Sequence, residues 1–502
     1  MHETMNATKV NLAADNNVDE IMQQAFSAFN VFKKIAPQKR AVFLETIADE
    51  IEKGRAALVQ IAKEETNLPA ARLNGELTRT TSQLKMFAAL ISEGSWVEAS
   101  IDTADAALTP TRPDLRKMLV PVGPVIVFGA SNFPFAFSTA GGDTASALAS
   151  GSTVVIKGHS AHAKTSALMF IAMQKAIEIA DMPPYTVQHV AGTGNAIGKA
   201  LVMHPLAKGV GFTGSFAGGK ALVEYANQRE IPIPVFAEMS SINPVVFYPD
   251  SIAKNKDALA VQYAASITLG VGQFCTNPGI LSGIKSEAFD DFLILLGKEI
   301  SKMQPQKMLH AGICAAYKEG TSKMLNQQGL QVITQAAVEA GDMEGVPLVA
   351  SVNATDFLNN PHFTEEIFGP YSLAVICDDK VQLIQALQSL KGQLTSTIIA
   401  TDKDIEDYAD VIEVQHTLAG RILLNGAPTG VEVCASMVHG GPYPATTDAR
   451  FTSVGTTAIK RWVRPICLQD FTNSMLPDEL KNENPLGILR LVNDVYTRDA
   501  IQ

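Results

Sequence analysis

Charge is scarce in this sequence. Only 18% of its 502 residues are Asp, Glu, Lys or Arg, and 51 acidic side chains outnumber 40 basic ones. A net charge of −11 repels phosphate backbones and argues against a nucleic-acid partner, although one local cation could still hold a phosphate-bearing cofactor. Cysteine is scarce as well. Cys275, Cys314, Cys377, Cys434 and Cys467 are odd in number, widely spaced and without a C-x-x-C pair. That argues against a disulfide framework and a zinc ribbon alike. It suits a cytoplasmic chain whose conspicuous cysteines are buried or catalytic. Long apolar runs are missing too. The most apolar stretches, such as 119–130, fall well short of the ~18 residues a membrane helix needs. Residues 1–17 mix charges and amides and lack the continuous apolar core of a secretory signal.

What is present is a globular composition, 46% apolar, in a chain long enough for several domains. Over the first hundred residues apolar side chains fall at helical spacing. Val18, Ile21, Met22, Ala25, Phe26, Phe29 and Phe32 mark one helix; Pro37 opens a second that carries Phe43, Leu44, Ile47 and Ile51 on one face. The pattern breaks at Thr109-Pro110-Thr111-Arg112-Pro113. From Pro124 to Glu238 short strands (125–128, 153–156, 187–190, and a brief one at 235–236) alternate with helical stretches such as 161–180 and 219–227. This alternation predicts parallel strands with crossover helices, a doubly wound α/β sheet. A second alternating stretch runs from about Ile242 to Leu424, and the tail beyond Arg461 reads as an extended arm.

Several short segments carry chemistry. Asn132-Phe133-Pro134 follows a buried strand, where open α/β sheets place ligands, though an ordinary loop asparagine reads the same. Gly192-Thr193-Gly194, followed by Gly198, is an imperfect dinucleotide fingerprint. Phe212-Thr213-Gly214-Ser215, with Gly218 and Gly219 opening a helix, could face a phosphate with backbone N–H groups or form a plain turn. Glu238 ends an apolar strand, where partial burial would raise its pKa toward that of a general base and solvation would not. Cys275 sits in a loop of small and polar residues, as packing or as nucleophile. His159 and His162 lack a third ligand, so they read as surface or cofactor-loop residues and no metal site is expected.

Taken together and in order, Asn132, Lys157, Gly214, Glu238, Cys275 and Glu365-Glu366-Ile367-Phe368-Gly369-Pro370 resemble the marks of the aldehyde dehydrogenase superfamily over residues 20–470 or so. Three segments depart from the common pattern. They are Lys157-Gly158-His159-Ser160, Glu238-Met239-Ser240-Ser241-Ile242, and the stretch from Pro428 to Cys434 with His439-Gly440-Gly441-Pro442. These variants are similar to a bacterial branch of NADP-preferring members that contains 2-oxoglutarate semialdehyde (2,5-dioxopentanoate) dehydrogenases and a long-chain fatty aldehyde dehydrogenase.

The resemblance implies a Rossmann-like cofactor domain (1–104 and 124–238), a catalytic domain (239–440), and an oligomerisation arm (105–123 and 461–502). Residues 441–460 would return to the cofactor domain, and the chain would form a homodimer or homotetramer. It implies Cys275 as nucleophile, Glu238 as the base that activates water, and the Asn132 amide with the Cys275 N–H as oxyanion donors. Lys157, His159, Ser160, Gly214, Ser215 and Gly219 would face NADP, with NAD as the weaker cofactor. Glu366 and Phe368 would hold its nicotinamide end, and His439 would tune Cys275, assist proton transfer or simply brace its loop. The implied substrate is 2-oxoglutarate semialdehyde, with a fatty aldehyde as rival and Arg450 and Arg464 as candidate cations for its carboxylate. A coenzyme A-acylating enzyme and a catalytically silent binding protein are the competing classes; the intact Glu238, Cys275 and Asn132 set speaks against the silent protein, and Glu238, a water-activating base, against the acylating enzyme.

Overall fold

The computed structural model describes residues 17–192 and 194–501. Residues 1–16, and Thr193 within the glycine-rich segment, lie outside the described residues. Helices lead the chain. Val18–Phe32 starts on Asn17, whose side chain accepts the Glu20 N–H, and Asp19 and Glu20 complement its positive end. Pro37–Lys53 starts on its proline and buries Phe43, Leu44, Ile47 and Ile51 completely. Each such side chain is worth about 2 kcal/mol of transfer free energy. That row packs on the long helix Ala70–Glu93, which contributes Leu73, Leu77, Leu84 and Phe87 to the same core.

The first sheet has five parallel strands in the spatial order Val187–Val190, Val154–Lys157, Val125–Phe128, Gly209–Thr213, Val235–Glu238. The order reverses between Val125–Phe128 and Gly209–Thr213, and ligands in such sheets bind beyond the carboxyl ends at that point. Asn132, Lys157, Gly214 and Glu238 all stand there. Four of the five strands match the sequence expectation within a residue or two, because each is short and apolar between turn residues; Gly209–Thr213, with two glycines in five residues, lies outside that expectation. The two expected helices are Ala163–Ile179 and Phe216–Asn227, and Gly142–Ser150 and Asn195–Met203 join them.

A second, seven-stranded sheet is built from Val245–Phe247, Ile280–Ile284, Leu348–Asn353, Tyr371–Cys377, Gln393–Ile399, Ala419–Leu424 and the antiparallel edge Gln331–Gln335. A third sheet of five strands pairs Leu115–Pro121 with Val463–Gln469, so the tail folds back onto the segment that leaves the first helices. Residues 445–447 run along Val235–Glu238: Met239 N–H donates to Ala445 O, and Ala237 N–H to Thr447 Oγ1. This return brings the stretch around His439 and Ser453 to the end of the first sheet. No helix among the described residues is long and apolar enough to cross a membrane.

Candidate active site

The loop before Cys275 is held in an uncommon backbone. Gly270, Val271 and Gly272 all have φ near +60°, a region that costs a β-branched valine strain. Gly272 tolerates it, and a Cβ there would lie 2.3 Å from the Gly369 carbonyl carbon. The Gly272-to-Cys275 segment and the Phe368-Gly369-Pro370 segment therefore touch backbone to backbone. Asn243, at φ 47°, clamps the other side: its Nδ2 donates to the carbonyls of Cys275 and Asn277, 2.9 Å each. Gln393 in turn accepts from the N–H groups of Ile242 and Asn243.

On this platform the Cys275 sulfur lies 3.5 Å from His439 Nε2, and the same nitrogen lies 3.0 Å from Glu238 Oε1. Ser453 donates to the other carboxylate oxygen at 2.8 Å. Glu238 and His439 are both buried. Burial works to raise the Glu238 carboxyl, but the facing His439 ring, with hydrogen bonds from His439, Ser453 and Cys275, outweighs it and holds the carboxyl below its ordinary value. This corrects the expectation that burial would raise it. The Cys275 thiol goes the other way. Burial, then the Glu238 charge, pushes it well above its ordinary value, with Arg79 opposing. With Nε2–H donating to Glu238, that nitrogen cannot also accept the thiol proton; the Cys275 thiol is hydrogen-bonded to the Glu238 carboxylate directly, and the carboxylate is equipped to take its proton. The three ligand-type atoms lie within 4.8 Å of one another, and these hydrogen bonds account for that closeness.

Asn132 is buried, and its amide donates to the carbonyl of Gln273, two residues before the cysteine, at 3.3 Å. An amide has two N–H groups, and this bond engages one. Ser215 caps the helix Phe216–Asn227 and lines a cavity of about 750 Å³ with Ser240, Glu366 and Phe368. Burial pushes the Glu366 carboxyl up to about 7, against hydrogen bonds from the Ser240 hydroxyl and the Ser241 N–H. The departures from the family pattern are thus put to use here: Ser240 binds Glu366, and Ser241 bonds to Asn243 and Gln393. Gly214 is exposed at the strand end. Gly219 is buried, and a Cβ there would meet Met239 at 2.6 Å, so its smallness serves helix-to-strand packing.

Lys157 donates to the carbonyls of Gly158 and Gly192, at 3.0 and 2.7 Å, at the mouth of the same sheet. Ser160 is exposed beside it. Gly158 has its own reason: a Cβ would strike the bonded pair His189 and Ser166 at 2.6 and 2.7 Å. His159 stacks on His162, and its Nδ1 accepts the Ala161 N–H. Burial, then the neighbouring His162, His310 and Lys157, holds it down to about 3, so it is neutral. His162 is not a surface or cofactor-loop residue. It is fully buried with Nε2 bonded to the Ala130 carbonyl, because Ala163–Ile179 packs it beneath the loop. Arg450 and Arg464 also stand elsewhere: Arg450 is forked onto Asp448 in solvent, and Arg464 is exposed on the third sheet. Ser215, Ser240, Glu366 and Phe368 at the cavity, with Lys157 at the strand end, fit a dinucleotide: hydroxyls and a carboxylate for ribose, a ring for nicotinamide, a cation for phosphate.

Comparisons with known proteins give the family. Residues 2–442 match the model of the aldehyde dehydrogenase family. The chain is 46% identical over 490 residues to alpha-ketoglutaric semialdehyde dehydrogenase 2 of Azospirillum brasilense, covering 97% of this chain and 93% of that one. It is 45% identical over 486 residues to alpha-ketoglutaric semialdehyde dehydrogenase of Acinetobacter baylyi, covering 96% and 92%. A solved betaine aldehyde dehydrogenase from Staphylococcus aureus shares the fold at 18% identity, with a TM-score of 0.77 over 92% of this chain and 88% of that one. The chain belongs to the aldehyde dehydrogenase family.

Proposed function

We propose that this protein oxidises 2-oxoglutarate semialdehyde to 2-oxoglutarate with NADP. The observation that carries the reading is the contact of Cys275, His439 and Glu238 through one imidazole nitrogen. The Azospirillum and Acinetobacter relatives, each named for alpha-ketoglutaric semialdehyde, support the substrate. Cys275 passes its proton to the Glu238 carboxylate beside it, which releases that proton to solvent, and the thiolate adds to the aldehyde carbon as a thiohemiacetal. The second Asn132 N–H and the Cys275 backbone N–H stabilise the alkoxide; one such donor is typically worth about 3 kcal/mol in the transition state. NADP, when bound, supplies the hydride acceptor. Once the hydride has left the carbon, the acyl group remains on Cys275 as a thioester. Glu238, ionised and held by Ser453, takes a proton from water, which attacks the thioester and restores the thiol.

For the cofactor, Glu366 would take the nicotinamide ribose, Phe368 the ring, and Ser215 the phosphates. Lys157, Ser160 and the neutral His159 would meet the adenosine end. Residues 1–104 and 124–238 would hold it, 239–440 the aldehyde, and 105–123 with 461–502 would join copies into a dimer or tetramer in the cytoplasm, with 441–460 returning to the first unit. Steady-state kcat/KM for 2-oxoglutarate semialdehyde, succinate semialdehyde, hexanal and a long-chain aldehyde, each with NADP and NAD, tests the proposal. The oxo-acid aldehyde with NADP is expected to lead. A tenfold preference for hexanal would assign the chain to fatty aldehydes instead, and turnover dependent on added coenzyme A would remove Glu238 from hydrolysis.

A further inference from the structure

The helix Ala70–Glu93 carries Arg72, Glu76 and Arg79 at i, i+4 and i+7, hence on one face, and that face looks onto the reacting residues. The Arg72 guanidinium lies 5.1 Å from the Phe133 ring and 4.7 Å from the Phe274 ring, next to Asn132 and Cys275 in sequence. Arg79 lies 5.2 Å from the Phe137 ring, which is itself 6.2 Å from the His439 ring. The charges Arg79 faces are those of Glu76, Cys275, Glu238 and Glu432.

The other charged groups here are each committed through at least one atom, although Arg72 Nη1, Glu76 Oε2 and Arg421 Nε are buried without a partner. Arg72 donates to the Asn132 carbonyl at 2.9 Å. Glu76 accepts the N–H groups of Phe135 and Ala136. Arg421, whose charge also reaches Cys275, grips the carbonyls of Pro428 and Gly430. Arg79 differs. Its Nε and Nη2 are buried and have no hydrogen-bond partner. Leaving charged N–H groups in that state is expensive. Nε and Nη2 form one edge of a guanidinium, the fork that grips both oxygens of a carboxylate.

We infer that the Nε and Nη2 edge of Arg79 binds the distal carboxylate of an oxo-acid aldehyde and sets this site's preference for that substrate over a purely aliphatic one. The inference rests on the substrate named above and adds the residue that reads it. It also replaces Arg450 and Arg464, which stand away from the cleft. Arg79 makes no hydrogen bond to Cys275, Glu238 or His439, so its loss should appear chiefly in KM, and R79K keeps the charge that Cys275 faces.

The test is steady-state kinetics of the full-length protein with NADP, as wild type, R79Q and R79K, on 2-oxoglutarate semialdehyde and on hexanal. Thermal midpoints are recorded alongside. In R79Q the KM for the oxo-acid aldehyde should rise on the order of 30-fold or more, the low end for truncating a buried charge pair, with kcat little changed and hexanal affected far less. R79K, which keeps the charge without the fork and tests the idea if R79Q fails to fold, should fall between. An equal loss on both aldehydes, or a fall in kcat at constant KM, would make Arg79 structural and overturn the inference alone. A wild type that prefers hexanal would overturn the substrate reading and this inference together.

Discussion

His439 Nε2 lies 3.0 Å from Glu238 Oε1, and both groups are buried. That contact, more than any other, keeps the carboxyl ionised where burial alone would protonate it. A carboxyl held below its usual range keeps its charge, and what the charge contributes to folding, until the pH falls through that lowered value. Replacing His439 with Asn removes the ring and leaves burial opposed only by Ser453 and Cys275. The Glu238 carboxyl should then rise, and thioester hydrolysis at neutral pH should fall on the order of tenfold per unit of that rise. Raising the pH should restore it. Single-turnover hydrolysis against pH checks this; a uniform loss with the wild-type profile would leave His439 as a brace for its loop.

On the proposed mechanism Cys275 and Glu238 should divide the reaction between them. Cys275→Ala should abolish oxidation while NADP affinity stays near wild type. Glu238→Gln should give a burst of reduced cofactor and then stall as the thioester. Rapid-quench traces separate the two, and a Glu238→Gln variant with neither burst nor stall would remove the carboxylate from hydrolysis.

Much of this was legible because it is local. Strand, loop and helix around Asn132, Gly214 and Glu238 follow from apolar runs ended by small and polar residues, and their order along the chain carried the family resemblance. The parts that were not legible depend on distance. His439 and Glu238 are 201 residues apart, and only the return of the chain along Val235–Glu238 joins them. Ser453 and Asn243 gave no signal at all. The Arg72, Glu76 and Arg79 face reads in sequence like the solvated side of a helix. It is drawn inward only because Phe133, Phe137 and Phe274 stack against it. His162 misled for the same reason: a polar residue at a helix start is exposed by default, and only packing against the Ala130 loop buries it.

If Glu366 holds the cofactor ribose as proposed, cofactor binding should be pH-sensitive. Burial pushes its carboxyl up to about 7, so it gains the charge that accepts ribose hydroxyls as pH rises through that value. NADP affinity should therefore increase across about 7, and Glu366→Gln should flatten that rise. The cofactor's own phosphate also titrates, at about 6, and the Gln variant separates the two. Stability should move oppositely. A carboxyl raised above its unfolded value favours the folded state at low pH and loses that contribution as pH rises through about 7. Fluorescence titration on either side of neutrality, with melting curves, checks both signs, and an affinity that falls with pH in wild type would place the ribose elsewhere.

On the proposed reading, cofactor choice should turn on Ser160. Where NAD-preferring members have a glutamate three residues after the lysine, this chain has a small, neutral and exposed side chain, able to donate to a 2′-phosphate. The histidines bring no charge: His159 is held down to about 3, and His162 is bonded to Ala130 inside the fold. Lys157 is therefore the cation among these residues, and its two carbonyl partners hold it at the strand end without neutralising it. Two unit charges ~4 Å apart interact by about 4 kcal/mol at an effective dielectric near 20, a figure that exposure reduces. Adding a carboxylate at Ser160 should oppose the phosphate and offset Lys157. Ser160→Glu is thus expected to lower kcat/KM for NADP on the order of tenfold or more, equivalent to about 1.4 kcal/mol at the least. It should change NAD use far less, or improve it. Initial rates with both cofactors at fixed aldehyde decide the matter. A wild type that uses NAD better than NADP, or a variant equally impaired with both, would mean that the 2′-phosphate is not read at this position.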